Sequence, residues 1–233
     1  MSRHISEQYD AELAAARDAL MAMGGMVEQQ INSACQALVT HDHKLAEDVR
    51  AKEAQVNQLE VELDDQCISI IARRQPTAGD LRELMSMIKA ITDLERMGDE
   101  ADRIAKMALA LSDLEIPQNQ YIDFRSIHSD IVKMVTGALD AFARLDPELA
   151  VKVIAADEQV DDAYSALVRK QLLDMRQNPD DVIHSMNVVW AARALERIGD
   201  HAKNIGEYVV YQVRGEDVRH QGGTLTNPTE DAQ

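Results

Sequence analysis

Apolar residues recur every three or four positions along most of the chain, which is the period of one face of an α-helix. Three such runs fill the first half of the sequence, at about residues 6–41, 44–75 and 77–112. The second run ends at Pro76 because proline disfavours helical backbone in the residue before it. The side chain of Thr77 is expected to cap the third helix.

Three further runs cover about residues 121–145, 148–177 and 178–214. A short polar stretch at residues 117–120 separates them from the first three runs. The sixth helix is expected to begin at Asn178, because an asparagine side chain can accept a hydrogen bond from the first-turn amides. The pattern therefore predicts six long helices.

An internal repeat groups these helices into two sets. Shifting the sequence by 101 residues aligns residues 85–104 with 186–205, and nine of the twenty aligned residues are identical. The preceding helices align at a shift of 104. Short connections make successive helices antiparallel neighbours. The predicted fold is all-α, with two tandem antiparallel three-helix bundles at 1–116 and 117–215 and a polar tail at 216–233.

Composition supports a helical fold and limits the possible partners. With 10 Gly and 5 Pro, the chain has too few turn residues for a sandwich, barrel or propeller. Its 41 acidic and 24 basic residues give a net charge of −17, which opposes nucleic-acid binding. No secretory signal or membrane-spanning run is present, so a soluble cytoplasmic protein is expected. Cys35 and Cys67 lie on apolar stripes and are expected to be buried thiols.

Each half carries oxygen-bearing side chains in pairs four residues apart, a spacing that places both members on one helix face. The first half contains Glu53, Asn57, Glu95 and Asp99. The second half contains Asp157, Asp161, Glu196 and Asp200. Four side chains converge in each half if the two helices that carry them are antiparallel neighbours. Carboxylate oxygens suit hard cations such as Fe, Mn, Mg or Ca, with Zn less natural.

A cation is one of two explanations for these pairs. The other is a solvated acidic face, or one neutralised by Arg96 and Arg197. A glycine interrupts the motif in both halves, at Gly98 and Gly199, although glycine costs about 1 kcal/mol inside a helix. It indicates either close packing of a neighbouring helix or space for an ion with its waters. If cations bind, the second set should hold one more tightly, because Asn57 is neutral.

The motifs of several enzyme classes are missing. A ferritin-like di-iron site places His three residues after Glu, a position that Gly98 and Gly199 occupy here. No Ser, His and Asp order, glycine-rich phosphate loop or cysteine pair is present. The seven histidines lack paired ligand spacing, and most are expected to be surface or capping residues. A carboxylate-bridged metal hydrolase or oxidase and a plain helical scaffold remain as alternatives.

Several segments closely resemble the PhoU family of bacterial phosphate-transport regulators. They are residues 23–30, residues 71–78, residues 141–144 and the two copies of Glu-Arg-X-Gly-Asp that begin at Glu95 and Glu196. The resemblance extends in order over about residues 4–221 and implies two three-helix bundles that form homodimers in many members. It also implies metal clusters on acidic motifs, here Glu95/Asp99, Asp157/Asp161 and Glu196/Asp200. The fourth motif, Glu53 with Asn57, is incomplete.

The resemblance further implies a non-enzymatic role in phosphate signalling. Members of the family couple the phosphate ABC transporter to the sensor kinase PhoR and repress the starvation response when phosphate is plentiful. The implied partners are the transporter ATPase PstB and PhoR, which would bring the protein to the inner membrane only through these partners. A role beside a low-affinity phosphate transporter is the alternative within the family.

Overall fold

The computed structural model describes residues 7–112 and 118–215, and these ranges contain helices and no strand. They contain six long α-helices. Their bounds are α1 Glu7–Thr40, α2 His43–Arg74, α3 Ala78–Leu111, α4 Ile122–Arg144, α5 Pro147–Gln177 and α6 Val182–Arg214. None of these helices is long and apolar enough to cross a lipid bilayer. The predicted all-α class is confirmed, whereas the predicted tail lies outside the described residues.

Aspartate side chains cap the second helix of each half. The Leu45 amide donates to Asp42 Oδ1 over 2.9 Å, and the Leu149 amide donates to Asp146 Oδ1 over 3.0 Å. Each bond satisfies an amide that has no partner within its own helix. The two caps lie 104 residues apart, so the repeat extends to the helix termini.

Two other predicted caps are wrong. Thr77 is in the N-cap position of α3 with extended backbone, but its side chain makes no capping hydrogen bond. Asn178 does not cap α6 either, because its carbonyl accepts the Asp181 amide over 3.0 Å and closes a 3₁₀ turn over Pro179–Asp181. The α-helix therefore begins only at Val182.

The helices pack as two three-helix units around one continuous core. α1, α2 and α3 pack against one another, as do α4, α5 and α6. The units meet along α3 and α6 and, less extensively, along α1 and α4. α3 and α6 are antiparallel, since Asp93 contacts Tyr208 while Glu100 contacts Arg197. The predicted burial of the free thiols, Cys35 and Cys67, is confirmed.

The first helices of the two units differ in length. At the 104-residue shift, buried Leu20 of α1 corresponds to buried Phe124 of α4. The first residue of α4, Ile122, corresponds to Asp18. The first eleven residues of α1, 7–17, consequently have no counterpart in α4.

Close packing accounts for the glycine in each acidic motif. A Cβ atom on Gly98 would lie 3.3 Å from Val56 Cγ1 and 3.4 Å from Gln30 Oε1. A Cβ atom on Gly199 would lie 2.9 Å from Ile131 Cδ1. Side chains of neighbouring helices fill the space beside both glycines, which favours the packing explanation over an ion with its waters.

Alanine substitutions at two helical glycines are expected to change stability in opposite directions. Gly206→Ala places a Cβ 3.2 Å from the backbone carbonyl oxygen of Ala150, which cannot move without moving α5, so we expect a loss of about 1–3 kcal/mol. Gly25→Ala meets no atom within 4 Å, and better helix propensity should add up to about 1 kcal/mol. Urea unfolding measures both changes, and a stabilised Gly206→Ala variant would contradict the packing argument.

Candidate functional site

The first acidic cluster lies between α2 and α3 and consists of Glu53, Asn57, Glu60, Glu95 and Asp99. The pKa of Glu95 is raised to about 7, chiefly by burial and then by the charges of Asp99, Glu60 and Glu53, while Arg96 opposes the shift. Glu60 is a member that the motif spacing did not identify. The predicted convergence of α2 and α3 carboxylates is therefore present in the first half.

Glu53 is a half-buried carboxylate of this cluster. Burial raises its pKa, and Asp99 raises it further, while a hydrogen bond to Asn57 lowers it. Its Oε2 atom is buried and has no hydrogen-bond partner in the chain that the structure describes. Within that part of the chain, no Lys, Arg or His forms an ion pair with Glu53, Glu95 or Asp99. The negative charge of the first cluster is thus left without a direct partner.

The second acidic cluster lies between α5 and α6 and consists of Asp157, Asp161, Glu196 and Asp200. Burial is the largest cause that raises the pKa of Asp161, of Glu196 and of Asp200. The charge of another member of the cluster is the next cause in each case. The four predicted side chains of the second half therefore share one electrostatic environment.

Unlike the first, the second cluster is partly neutralised, by two basic residues of α6. Lys203 Nζ lies 2.6 Å from Asp157 Oδ2, and this bond raises the pKa of Lys203. Arg193 forms an ion pair with Glu196 from one helical turn away. These two bonds place two positive charges among four carboxylates.

The repeat alignment shows that these two basic residues occur in the second half only. At the 101-residue shift, Arg193 corresponds to Thr92 and Lys203 corresponds to Asp102. The first half therefore has a neutral residue and an additional carboxylate in place of the two basic side chains. Charge compensation, rather than the number of carboxylates, distinguishes the two clusters.

The arginines expected to neutralise the motifs do not do so directly. Arg197 binds Glu100 across the α3–α6 interface, with its Nη1 atom 2.6 Å from Oε1, instead of Glu196. Arg96 is exposed and acts on Glu95 only as a nearby charge. That prediction was wrong because residues next to each other in a helix point about 100° apart.

The fit of a metal ion differs between the clusters. In residues 7–112 and 118–215, no three His, Cys, Asp or Glu side chains are arranged to hold an ion as they stand. The second cluster suits a cation less well, because Lys203 and Arg193 already bind two of its four carboxylates, although Glu196 Oε2 is also buried without a partner among the described residues. The first cluster has the chemistry a hard cation requires, namely uncompensated carboxylates and the unpartnered Oε2 atom of Glu53.

Two of the five histidines in the described ranges are buried and are exceptions to the expected surface or capping roles. His201 and His184 are 7% and 6% exposed, and His201 Nδ1 lies 2.7 Å from Asp93 Oδ1. His128 bonds to Asn32 Oδ1 over 3.0 Å between α4 and α1. Spacing along one helix cannot reveal these roles, because the partners lie on other helices.

A buried hydrogen-bond network centred on Asp93 joins α3 to α6. Asp93 is 2% exposed and accepts hydrogen bonds from His201 over 2.7 Å, from Asn204 over 3.2 Å and from Tyr208 over 2.8 Å. Sequence reasoning missed this network. The repeat contained one signal for it, since Asp93 aligns with Ala194, a small apolar residue at a buried position.

The sequence matches the PhoU domain family twice, over residues 20–108 and 124–209. It is 47% identical to the phosphate-specific transport system accessory protein PhoU homolog of Pseudomonas aeruginosa, covering 96% of this chain and 93% of that protein. It is 40% identical to the phosphate-specific transport system accessory protein PhoU of Escherichia coli, covering 96% and 92% of the two chains.

Two crystal structures have the same fold. PhoU from Pseudomonas aeruginosa superposes with a TM-score of 0.87 at 46% identity and covers 89% of this chain and all of that one. The phosphate transport system regulatory protein PhoU from Streptococcus pneumoniae gives a TM-score of 0.83 at 28% identity, covering 90% and 99%. The described helices and their arrangement are those of these two proteins.

Proposed function

Because the chain belongs to the PhoU domain family, we propose that it is a non-enzymatic accessory protein of phosphate-specific transport. It represses phosphate-starvation signalling when phosphate is plentiful. The observation that carries this proposal is the near full-length match to proteins that bear this name, at 40–47% identity. A protein of this kind acts through its surface, so its effect depends on stoichiometric binding to other proteins.

The proposed partners are the transporter ATPase PstB, the sensor kinase PhoR and a second copy of this chain. PstB and PhoR place the protein at the cytoplasmic face of the inner membrane. Binding that is saturable and of fixed stoichiometry supports the adapter role. Size-exclusion chromatography with light scattering tests the homodimer, and co-purification with PstB or PhoR tests the other two.

A deletion strain tests the regulatory role. Loss of a repressor leaves signalling on, so we expect high alkaline phosphatase activity in phosphate-rich medium, and low activity again when the parent gene is restored. A strain carrying an empty vector is the control. Unchanged low activity in the deletion strain would contradict the proposal.

We also propose that a hard cation, such as Mn, Fe or Mg, binds the first acidic cluster in preference to the second. The motif count alone favours the second cluster, whose four members are all carboxylates. The ion pairs of Lys203 and Arg193 favour the opposite ranking, because a cation has to compete with them for Asp157 and Glu196. The residues offered to the cation are Glu53, Glu60, Glu95 and Asp99, with Asn57 as a neutral neighbour.

Added Mn²⁺ is expected to raise the melting temperature of the protein, because a ligand that binds only the folded state stabilises it by mass action, about 2.7 kcal/mol at a hundredfold excess over Kd. Glu95→Gln should remove most of this response, while the matched variant Glu196→Gln should keep it. Differential scanning fluorimetry measures both, with Zn²⁺ and Mg²⁺ in parallel. A response that is lost in Glu196→Gln and retained in Glu95→Gln would contradict this proposal and would favour the second cluster, as the motif count does.

A further inference from the structure

A polar pocket of about 250 Å³ opens at the end of the second three-helix unit. The end of α5, the following 3₁₀ turn and the start of α6 form its walls. The residues that line it include Lys170, Gln171, Asp174, Asp181, His184 and Ser185. The pocket lies away from both acidic clusters.

The repeat explains why space exists at this end. In the first unit, the first turns of α1 cover the corresponding place with buried Tyr9 and Leu13, and Arg17 forms an ion pair with Glu83 of α3. These turns have no counterpart in α4, which begins at Ile122. The pocket therefore occurs at the place that the longer first helix covers in the first unit.

The residues around this position are apolar in the first unit and polar in the second. In the first unit, they are the buried Cys67, Ile70 and Leu84. The residues at the corresponding repeat positions in the second unit are Gln171, Asp174 and Ser185. Gln171 and Ser185 are 4% and 2% exposed, so they are as enclosed as their apolar counterparts. Burying polar groups is costly unless something satisfies them, so these walls favour a polar occupant, either water or a polar ligand.

The buried polar side chains of the pocket lack protein partners. His184 is 6% exposed, lines the pocket and has no hydrogen-bond partner for Nε2 among the described residues. The side chains of Gln171, Asp174, Asp181 and Ser185 likewise make no hydrogen bond or ion pair with the described chain. His184 thus has an unpartnered buried nitrogen at a pocket whose other polar walls are the enclosed Gln171 and Ser185, the half-buried Asp174 and the exposed Asp181.

The charges of the pocket decide which ligand suits it. Burial lowers the pKa of His184, against the opposing charges of Asp181 and Asp174, so the imidazole is neutral near pH 7. Lys170 Nζ already binds Asp123 Oδ2 over 2.6 Å. Two carboxylates, with Lys170 already paired and no other Lys or Arg among the described lining residues, disfavour an anion. Cationic N–H groups complement carboxylates and form their strongest hydrogen bonds with them.

We propose that the pocket binds a small organic ammonium or guanidinium compound, whose charged group lies between Asp174 and Asp181. The remaining polar atoms of the ligand bond to Gln171, His184 and Ser185. Sites for drug-sized molecules occupy about 300–1,000 Å³. This pocket, at about 250 Å³, is smaller and therefore suits a compound smaller than a drug-sized molecule. The proposal is independent of the role in phosphate signalling.

Isothermal titration calorimetry of the full chain with ethanolamine, putrescine and agmatine tests the proposal. We expect at least one of them to bind with a Kd of about 1 mM or lower. Asp181→Asn should weaken binding at least about tenfold, while Asp180→Asn should leave it unchanged. The two substitutions remove the same charge from the same turn, but only Asp181 lines the pocket.

A second variant protects the test against misfolding. Ser185→Leu introduces the residue that the repeat has at Leu84 and should fill the pocket, so binding should be lost while helical circular dichroism is retained. Failure of all three amines to bind the parent would overturn the proposal. Orthophosphate or Zn²⁺ binding that depends on His184, in the absence of amine binding, would overturn it as well.

Discussion

Replacing Asp93 with alanine is expected to lower the free energy of unfolding by about 3–5 kcal/mol. Asp93 is buried and accepts hydrogen bonds from His201, Asn204 and Tyr208. Alanine would leave three donors without an acceptor in a place that water does not reach. The loss is larger than that of one hydrogen bond because each stranded donor keeps its own desolvation cost.

Urea unfolding of Asp93→Ala measures this loss, and two other variants calibrate it. Tyr208→Phe removes one donor of the network and should cost about 1 kcal/mol. Asp140→Ala removes a half-exposed carboxylate of α4 that pairs only with Arg144, and should change stability by less than about 1 kcal/mol. Equal losses in Asp93→Ala and Asp140→Ala would show that the buried network contributes nothing beyond surface charge.

The Asp93 network also determines how the two units are held together. It breaks the internal symmetry, since Asp93 corresponds to Ala194 and His201 corresponds to Glu100. Each of these polar residues bonds across the α3–α6 interface, Asp93 to His201 and Glu100 to Arg197. The interface therefore has two different polar contacts that fix one antiparallel register between α3 and α6.

The helices and their buried faces were predictable because helical periodicity is a local property of the sequence. Each predicted run matches a helix within a few residues, and apolar residues at equivalent repeat positions, such as Val56 and Val160, are buried in both units. Helix termini were less predictable. Thr77 and Asn178 have suitable side chains for capping, yet neither side chain makes a capping hydrogen bond.

The positions of the acidic clusters were also predictable, but their charge balance was not. Spacing shows that Glu196 and Asp200 share a face, and the repeat shows that α5 contributes to the same place. Which basic side chain reaches the cluster depends on side-chain direction and helix register. Lys203 and Arg193 reach it from one turn away, whereas the adjacent Arg197 is directed to α3.

The uncompensated charge of the first cluster should make stability depend on pH through Glu95. Its folded-state pKa is raised from 4.5 to about 7, so the protonated form is favoured in the folded protein. The stabilising contribution is complete below the unfolded-state pKa and is lost as the pH rises through about 7. The full shift corresponds to about 3 kcal/mol, which solvent screening of this partly exposed group reduces to about 1–2 kcal/mol.

Glu95→Gln cannot ionise, so it should be about 1–2 kcal/mol more stable than the parent at pH 8 and nearly equal to it at pH 5. Urea unfolding at both pH values, in buffer with a chelator, measures the difference. Glu196→Gln is the matched control and should gain less at pH 8, because it also removes the ion pair with Arg193. Mn²⁺ should reduce the advantage of Glu95→Gln, since a bound cation favours the ionised carboxylate. A pH-independent effect of Glu95→Gln would mean that the first cluster carries no uncompensated charge.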